Sequence, residues 1–439
     1  MYTQEITVEQ GQLKGLAKDG YNFYGAIPYA KAPIGDLRYR RPQTAEKFTD
    51  TYLADNFPNK CPQNPQTGFF KKEFYEDSKY NVNDSEDCLY LNIWTPTKKA
   101  ASPYPVAVYI HGGAFMGGYN SEVEFNGANF AKKGIVLVTI NYRLGIFGFL
   151  AHPDLSAENK EHISGNYGIF DQIAALKWIK KNIAAFGGDA NNITIFGQSA
   201  GAMSVQTLCS SPLTKNLFNA AIMESGAGYK KSLNYDLSLA QAEEIGKNLF
   251  KIFDIDNVVE LRKIPTQTLL AKFNQYMGNL IKRNGGFLGL DLPMVPNIDG
   301  YLLPEGYDKT IENGHLHQIP YLLGSNSNDI GTSKDKEFGD LYEGARNLAE
   351  KENEITHNPV YLYYFKRQMP GDNARAFHSA ELWYVFGNLD HCWRPLTEAD
   401  YRLSNDMMNN WINFFKTYKP LKDWRPYTEE NKFIKQFDI

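Results

Sequence analysis

The 439-residue chain lacks the features that would direct a protein to a membrane or a nucleic acid. No run approaches the roughly 18 apolar residues that a transmembrane helix needs, so no membrane span is expected. The 46 basic and 50 acidic residues nearly balance, giving a net charge of −4. This balance argues against a phosphate backbone or an anionic lipid surface as a partner, and no nucleic-acid binding is predicted.

Cysteine is scarce, and a signal sequence is missing from the start. The four cysteines show no C-x-x-C spacing and no paired histidines, which predicts neither a metal site nor a disulfide-dependent fold. The opening segment, "MYTQEITVEQGQLKG", lacks the basic and apolar regions of a signal peptide. We therefore expect a cytoplasmic protein, or a secreted one whose signal peptide has been removed.

What the chain has in abundance is alternating strand and helix patterns. Between residues 167 and 186, apolar residues recur at steps of three and four, which predicts an amphipathic helix. Short apolar runs predict strands at 105–113, 134–143, 192–197, 219–226, 319–326 and 360–365. With no repeat or linker in between, the sequence predicts a single α/β domain over residues 1–439, with a mostly parallel sheet and helices on both faces. The reactive crevice of such a sheet lies beyond the carboxyl ends of its strands.

One such end carries the motif Gly197-Gln198-Ser199-Ala200-Gly201, which matches G-x-S-x-G between a predicted strand and a predicted helix. In that setting the serine sits on a tight turn at a helix N-terminus, where its hydroxyl projects above the sheet. Small neighbours are needed because the turn leaves no room for larger side chains. The motif therefore predicts Ser199 as a nucleophile; the alternative is a serine that only caps the helix.

An earlier strand ends in "HGGAF", residues 111–115. Small residues there allow backbone N–H groups to approach a reacting carbonyl oxygen. We expect the amides of Gly113, Ala114 and Ala200 to form an oxyanion hole. The alternative is a flexible glycine turn without function.

A general base must follow late in the chain, because triads of this kind run in the order serine, acid, histidine. Three histidines are candidates. His357 precedes the strand at 360–365, and His391 follows an apparent helix. His378 lies on a loop beyond the carboxyl end of that strand, and it is the predicted base.

The acid should follow the strand at 319–326. Asp329 lies in the polar loop "GSNSNDIG" and is the predicted acid. Asp335 and Glu337 lie further along, in a charged run. Glu224, at the end of the preceding strand, is the alternative. The acid's role would be to orient the imidazole and stabilise its charged form.

With these residues placed, the chain resembles the type-B carboxylesterases, the carboxylesterase–cholinesterase branch of the α/β-hydrolases. The resemblance rests on "FGQSAGA" around Ser199, "EDCLYLNIWTP" at 86–96, "FYGAIPYAKAPIGDLRYRRP" at 23–42 and "HSAELWYVFG" at 378–387. It covers essentially the whole chain. It implies an α/β-hydrolase fold with a small N-terminal antiparallel sheet. The implied activity is hydrolysis of a small-molecule carboxylic ester through an acyl-enzyme, without a metal or organic cofactor.

The resemblance also assigns roles to residues. It supports Ser199, His378 and the three oxyanion amides, and it places Asp329 where the family usually has glutamate. It implies that Ser225 supports the triad from behind. It further implies an Arg38–Glu86 pair and, in an oxidising compartment, a disulfide between Cys61 and Cys88.

Substrate selectivity is less constrained. Phe115, Met116 and Trp383, with Tyr384 and Phe386, are candidate pocket residues, although ordinary core positions would have the same composition. The 49 residues from Asp329 to His378 form a short segment for this family. Two alternatives stay open: a feruloyl- or cinnamoyl-type esterase, and a catalytically inactive binding or adhesion protein of the same fold. The oligomeric state is not predicted.

Overall fold

The computed structural model describes residues 1–98, 100–285, 291–333, 338–356 and 358–439. Its strands are β1 (Ile6–Val8), β2 (Gly11–Lys14), β3 (Leu16–Ala17), β4 (Tyr21–Pro28), β5 (Tyr52–Leu53), β6 (Tyr90–Pro96), β7 (Tyr104–Ile110), β8 (Val136–Ile140), β9 (Gly188–Gln198), β10 (Ala220–Glu224), β11 (Tyr321–Asn326), β12 (Val360–Phe365) and β13 (Ile434–Phe437).

Helices connect most of these strands and cover the sheet. They are α1 (Gly68–Phe74), α2 (Ala128–Lys132), α3 (Gly145–Phe149), α4 (Pro153–Ala157), α5 (Tyr167–Asn182), α6 (Ala200–Ser210), α7 (Leu239–Phe253), α8 (Val258–Lys263), α9 (Thr266–Asn284), α10 (Tyr307–Glu312), α11 (Asp340–Ile355), α12 (Leu382–Phe386) and α13 (Glu398–Thr417). Each described helix is too short or too polar to cross a membrane.

The central sheet has the order β13-β12-β11-β10-β9-β7-β8-β6-β4-β3 within the described residues. The strands from β13 to β8 are parallel, and β6, β4 and β3 continue the sheet in antiparallel pairing. The prediction of a mostly parallel sheet is confirmed, and each of the six predicted strands corresponds to one of these elements. The carboxyl ends of β7, β9, β10, β11 and β12 therefore lie along one edge.

Strand β7 shows why helices are needed on both faces. Val106, Val108 and Ile110 belong to one buried core, which also contains apolar residues of α5 and α6. Ala107 and Tyr109 point the opposite way, into a second core with residues of α12 and α13. Side chains alternate across a strand, so a strand this apolar must be covered on both sides.

The small N-terminal sheet is present, in the order β1-β2-β5. Strands β1 and β2 pair antiparallel, whereas β5 joins β2 in parallel, so the sheet is mixed rather than wholly antiparallel. Sequence patterning does not reveal this, because β5 is only two residues long and comes from a distant loop.

Two other implications of the resemblance concern the N-terminal third. Arg38 and Glu86 form a buried two-pronged ion pair, with Nε–Oε2 and Nη2–Oε1 distances of 2.7 and 2.5 Å. Cys61 and Cys88 are buried free thiols. They contact each other, and their hydrogen bond and burial raise the pKa of the Cys88 thiol well above its usual value.

Candidate active site

Ser199 sits on the turn between β9 and α6 in a backbone conformation that side chains rarely adopt, with φ 57° and ψ −125°. Its amide donates to the carbonyl of Glu224 at 2.8 Å, which fixes the turn against the neighbouring strand. A Cβ added at Gly201 would lie 2.0 Å from the carbonyl oxygen of Ile110. Glycine is therefore required there, because β7 and the start of α6 approach within backbone contact.

The "HGGAF" loop after β7 lies directly beside Ser199. A Cβ at Gly112 would be 3.2 Å from the Ser199 Cβ. Gly113, Ala114 and Phe115 all have positive φ, of 105°, 57° and 58°. The amides of Met116 and Gly117 close this tight turn by donating to the Gly113 carbonyl at 2.9 Å. Such left-handed residues mark a loop held in a strained shape by its surroundings.

Beneath that loop, His111 acts as a support rather than as a base. Its ring stacks on Tyr142 with centroids 4.5 Å apart, and the Tyr142 hydroxyl donates to the His111 carbonyl at 2.9 Å. Burial lowers the pKa of His111 to about 4, so the ring is neutral at physiological pH.

The structure places His378 against Asp329. The imidazole Nδ1 lies 2.5 Å from Asp329 Oδ1. The carboxylate also accepts from the amides of Asn326 at 2.9 Å and Ile330 at 2.8 Å, which leaves it little freedom to rotate. Burial opposes charging of the ring, but the Asp329 charge and hydrogen bond outweigh it, and the pKa of His378 is raised.

The second ring nitrogen of His378 lies beside the turn that carries Ser199. Its Nε2 lies 3.4 Å from the side-chain nitrogen of Gln198, the residue before Ser199. The Ser379 hydroxyl donates to the other end of that amide at 3.0 Å and so orients it. Nδ1 thus contacts the Asp329 carboxylate, and His378 lines the same cavity as Ser199.

A further carboxyl, which the sequence analysis missed, lies behind the histidine. Glu381 is fully buried and hydrogen-bonds to Asn326 Nδ2. The Ser225 hydroxyl donates to Glu381 Oε1 at 3.4 Å, so Ser225 contacts this carboxyl. Burial and the nearby Asp329 charge raise the pKa of Glu381 to about 8. A signal was available, since a lone glutamate in the apolar run "AELWYVF" is typical of a buried polar role.

The alternative residues lie elsewhere. Glu224 accepts from the Trp411 indole at 2.8 Å, and burial raises its pKa to about 8. His391 is exposed and packs on Tyr80 with ring centroids 5.8 Å apart. The remaining candidates, at positions 335, 337 and 357, lie outside the described residues.

A cavity of about 530 Å³ opens in front of these groups. Ser199, His378, Gly113 and Ala114 line it, together with Met116 from the predicted substrate-binding set. Apolar side chains dominate one part of its wall: Ile146, Phe147, Leu270, Phe273, Met277 and Ile281. An apolar cleft with a few convergent polar groups is the usual form of a small-molecule site.

Phe115 and Trp383, the other two predicted substrate-binding residues, do not line this cavity. Both are fully buried in the core. Phe115 packs on Phe149 with ring centroids 4.9 Å apart, and the Trp383 indole donates to Glu73 at 3.2 Å. Tyr384 and Phe386 are buried core residues as well.

Comparison with known proteins shows the family of the chain. The model of the carboxylesterase family matches residues 2–356 and 341–438. The para-nitrobenzyl esterase of Bacillus subtilis (strain 168) is 32% identical over 485 aligned positions, covering 98% of this chain and 94% of the relative. Liver carboxylesterase 1 of Oryctolagus cuniculus is 38% identical over 334 positions, covering 73% of this chain and 56% of the relative.

Solved structures also point to the carboxylesterases. A PNB esterase superimposes with a TM-score of 0.85 at 31% identity, covering 99% of this chain and 96% of that structure. A carboxylesterase of Geobacillus stearothermophilus gives 0.83 at 28% identity, with the same coverage. The sheet order and these similarities agree on one assignment. The chain has the α/β-hydrolase fold, belongs to the carboxylesterase family and is a carboxylic ester hydrolase.

Proposed function

We propose that the protein hydrolyses small-molecule carboxylic esters through an acyl-enzyme on Ser199, with His378 as general base and Asp329 as the acid that orients it. The observation that carries this proposal is the contact between His378 Nδ1 and Asp329 Oδ1 at 2.5 Å, on an imidazole that lines the same cavity as Ser199. A base held in this way has its free nitrogen directed at the nucleophile.

In the first half of the reaction, Ser199 Oγ attacks the ester carbonyl carbon while His378 Nε2 takes its proton. The carbonyl oxygen becomes an oxyanion and accepts hydrogen bonds from the amides of Gly113, Ala114 and Ala200. The first residue of α6 is Ala200, so its N–H has no acceptor within the helix and is free to donate. The tetrahedral intermediate then collapses, and His378 gives its proton to the departing alcohol oxygen.

In the second half, water attacks the acyl-enzyme. His378 takes a proton from the water, the same three amides hold the oxyanion, and Ser199 leaves with the proton returned by the imidazole. The negative charge of Asp329 stabilises the imidazolium in both halves. The raised pKa of His378 supports this role, because the carboxylate stabilises the charged ring despite its burial.

The test is hydrolysis of p-nitrophenyl acetate and butyrate by the purified protein and by Ser199→Ala and His378→Ala. Each variant should lose about 10³-fold or more in kcat, because the serine attacks only while the histidine takes its proton. His391→Ala is the matched control, because that exposed imidazole was the alternative base. Full activity in His378→Ala, or a comparable loss in His391→Ala, would overturn the assignment of the base.

A further inference from the structure

A second cavity lies along one face of α5, apart from the active-site cavity. It is a groove of about 530 Å³, and none of its lining residues lines the cavity that contains Ser199. This volume is within the range of about 300–1,000 Å³ that is usual for small-molecule sites. Its other walls come from the turn between β1 and β2, from residues 41–44 and from the region of the 3₁₀ turn Pro212–Thr214. It is called the α5 groove below.

The part of α5 that lines the groove changes character along the helix. Six of its residues recur at steps of three and four and so share one face: Phe170, Ile173, Ala174, Lys177, Trp178 and Lys181. The first three are apolar, and lysines follow towards the carboxyl end of the helix. Leu213 and Leu217, both half-buried, add apolar side chains from another wall. At a rise of about 1.5 Å per residue, this stripe runs about 16 Å from an apolar end to a cationic end.

The apolar end contains one cation, but its charge is already compensated. The Arg41 guanidinium lies over the rings of Phe170 and Tyr301, 4.6 and 4.8 Å from their centroids. Its Nη2 lies 3.1 Å from Glu161 Oε2. Arg41 is therefore held by two rings and a carboxylate, and a hydrocarbon chain can lie at this end without breaking that ion pair.

The charges at the cationic end are only partly compensated. Lys181 Nζ lies 3.2 Å from Glu9 Oε1, and Lys180 Nζ donates to the Ala190 carbonyl at 2.5 Å. Lys177 is exposed and has no hydrogen bond or ion pair with any residue that the structure describes. Three lysines and one carboxylate thus line this end, in a chain whose net charge is −4. The local surplus of positive charge favours an anion.

A buried amide beside these lysines also lacks a partner. Gln10 is 2% exposed and lines the groove. Its Oε1 accepts from the Trp178 indole at 2.9 Å; because an indole nitrogen only donates, the other end of the amide must be the Nε2 group. Within the described chain nothing accepts from Nε2, yet this atom is not sealed off from solvent, so its hydrogens are available to the groove. Buried polar groups nearly always find a partner, and here the partner must come from outside the chain.

We propose that the α5 groove binds a carboxylate that carries an unbranched hydrocarbon chain. The carboxylate accepts hydrogen bonds from Gln10 Nε2 and Lys177 Nζ, and its charge balances the surplus of positive charge. The chain lies towards the apolar end, against Phe170 and Ala174, where it is removed from water. Acids of this class are products of carboxylic ester hydrolysis, so the family's own reaction supplies such ligands.

The experiment is calorimetric titration of the wild-type protein with sodium octanoate, below the concentration at which it forms micelles. Sodium acetate has the charge without the chain, and octan-1-ol has the chain without the charge. Octanoate should bind with a dissociation constant about tenfold or more below that of either ligand, because only octanoate satisfies both ends of the groove. Its affinity should fall as the salt concentration rises from about 0.05 M to about 0.5 M, since salt screens exposed charges.

Two variants test the two polar contacts. Lys177→Met removes an exposed charge and keeps the length of the side chain, so the affinity for octanoate should fall about fivefold. Gln10→Glu keeps an oxygen for the Trp178 indole but replaces the donor with a negative charge, and the affinity should fall about tenfold or more. If Gln10→Glu does not fold, the surface variant Lys177→Met decides the test. Lys251→Met is the matched control, because this exposed lysine of α7 does not line the groove, and it should bind octanoate as the wild-type protein does.

Octanoate can also enter the cavity that contains Ser199, because that cavity is apolar too. Competitive inhibition of p-nitrophenyl butyrate hydrolysis measures this second event, since only a ligand in that cavity excludes the ester. Binding in the groove should be lost in Lys177→Met and Gln10→Glu while the competitive inhibition constant stays the same.

Three outcomes would overturn the proposal. They are wild-type affinity for octanoate in both groove variants, equal affinity for octanoate and octan-1-ol, and a single binding event whose dissociation constant equals the competitive inhibition constant. Failure of the proposed function gives a different result, because the groove does not depend on Ser199 or His378. No ester would then be hydrolysed, but octanoate would still bind to the wild-type and Ser199→Ala proteins alike.

Discussion

Buried carboxylates have different partners in two regions of this molecule. In the first region, Asp171 is fully buried and forms a bidentate ion pair with Arg143. The Nε and Nη2 atoms of Arg143 both lie 2.7 Å from the carboxylate oxygens. Glu86 is held in the same way by Arg38. Each of these carboxylates is paired with an arginine through two hydrogen bonds, as buried charges usually require.

Around the cavity the partners are neutral. Glu381 is held by Asn326 and Ser225, and Glu224 by the Trp411 indole. Without a guanidinium beside them, burial raises the pKa of each to about 8. Burial raises the pKa of Asp171 too, but the Arg143 charge opposes that shift. Glu224 and Glu381 have no such cation beside them and can change protonation near neutral pH. Asp329 falls between the arginine-paired carboxylates and those with neutral partners, since its own partner is an imidazole that is charged only part of the time.

The largest effect should come from Asp329→Asn. The amide cannot stabilise the imidazolium and favours the wrong tautomer of His378, so kcat for p-nitrophenyl butyrate should fall by about 10³–10⁴-fold. Glu224→Gln is the control, because its side chain contacts Trp411 and not the imidazole. If Glu224→Gln lost as much activity as Asp329→Asn, the acid would have been assigned to the wrong carboxyl.

The next effect concerns the fold rather than catalysis. Arg143→Met leaves Asp171 buried and unpaired, and should lower the free energy of unfolding by about 3–5 kcal/mol. Chemical denaturation at neutral pH measures it. Activity per folded molecule should change little by comparison. If the variant had the same free energy of unfolding as the wild-type protein, the arginine would not be needed to stabilise the buried Asp171 carboxylate.

A smaller effect should appear in the pH dependence of the wild-type protein. Asp329 raises the pKa of His378, and only the neutral ring can take the Ser199 proton. On a neutral ester, kcat/KM should therefore fall as the pH drops through a value above the usual histidine pKa of about 6.5, by about tenfold for each further pH unit. A profile that stays flat down to about pH 5 would contradict histidine as the base.

The smallest effect should come from an exposed ion pair. Arg402 and Glu398 lie 3.6 Å apart with side chains 72% and 96% exposed. Arg402→Met should change the free energy of unfolding by less than about 0.5 kcal/mol in the same denaturation experiment. Together with Arg143→Met, this variant separates the contribution of burial from that of charge pairing. A loss as large as that of Arg143→Met would show that burial does not decide the outcome.

Sequence patterns predicted the parallel half of the sheet because its strands are continuous apolar runs bounded by glycine. The antiparallel half and β13 were not predicted, since their residues alternate with polar ones and their pairing depends on distant segments. Strand β13, for example, joins β12 only after the chain has passed through α13. Periodicity records burial along one segment but not which segment covers it.

The same limit applies to the site. Ser199, the "HGGAF" loop and His378 carry local signals, because tight turns and strand ends require particular residues. Glu381 carries a weaker signal, a lone glutamate in an apolar run. What the sequence does not show is its partner, because Asn326 is distant from Glu381 in the chain. Phe115 shows the opposite error: its place in the "HGGAF" loop suggested the cavity wall, but its ring is buried against Phe149 in the core.

The contact between Gly201 and Ile110 also shapes how this protein can evolve. A Cβ at Gly201 would come within 2.0 Å of a backbone oxygen, so no rotamer change in a neighbouring side chain could relieve the clash. In a library that randomises residues 197–201, functional clones should therefore recover glycine alone at this position. The neighbouring Gln198, whose side chain reaches into the cavity, should by contrast accept other residues. The motif thus contains one position fixed by backbone geometry beside another that remains open to selection for new substrates.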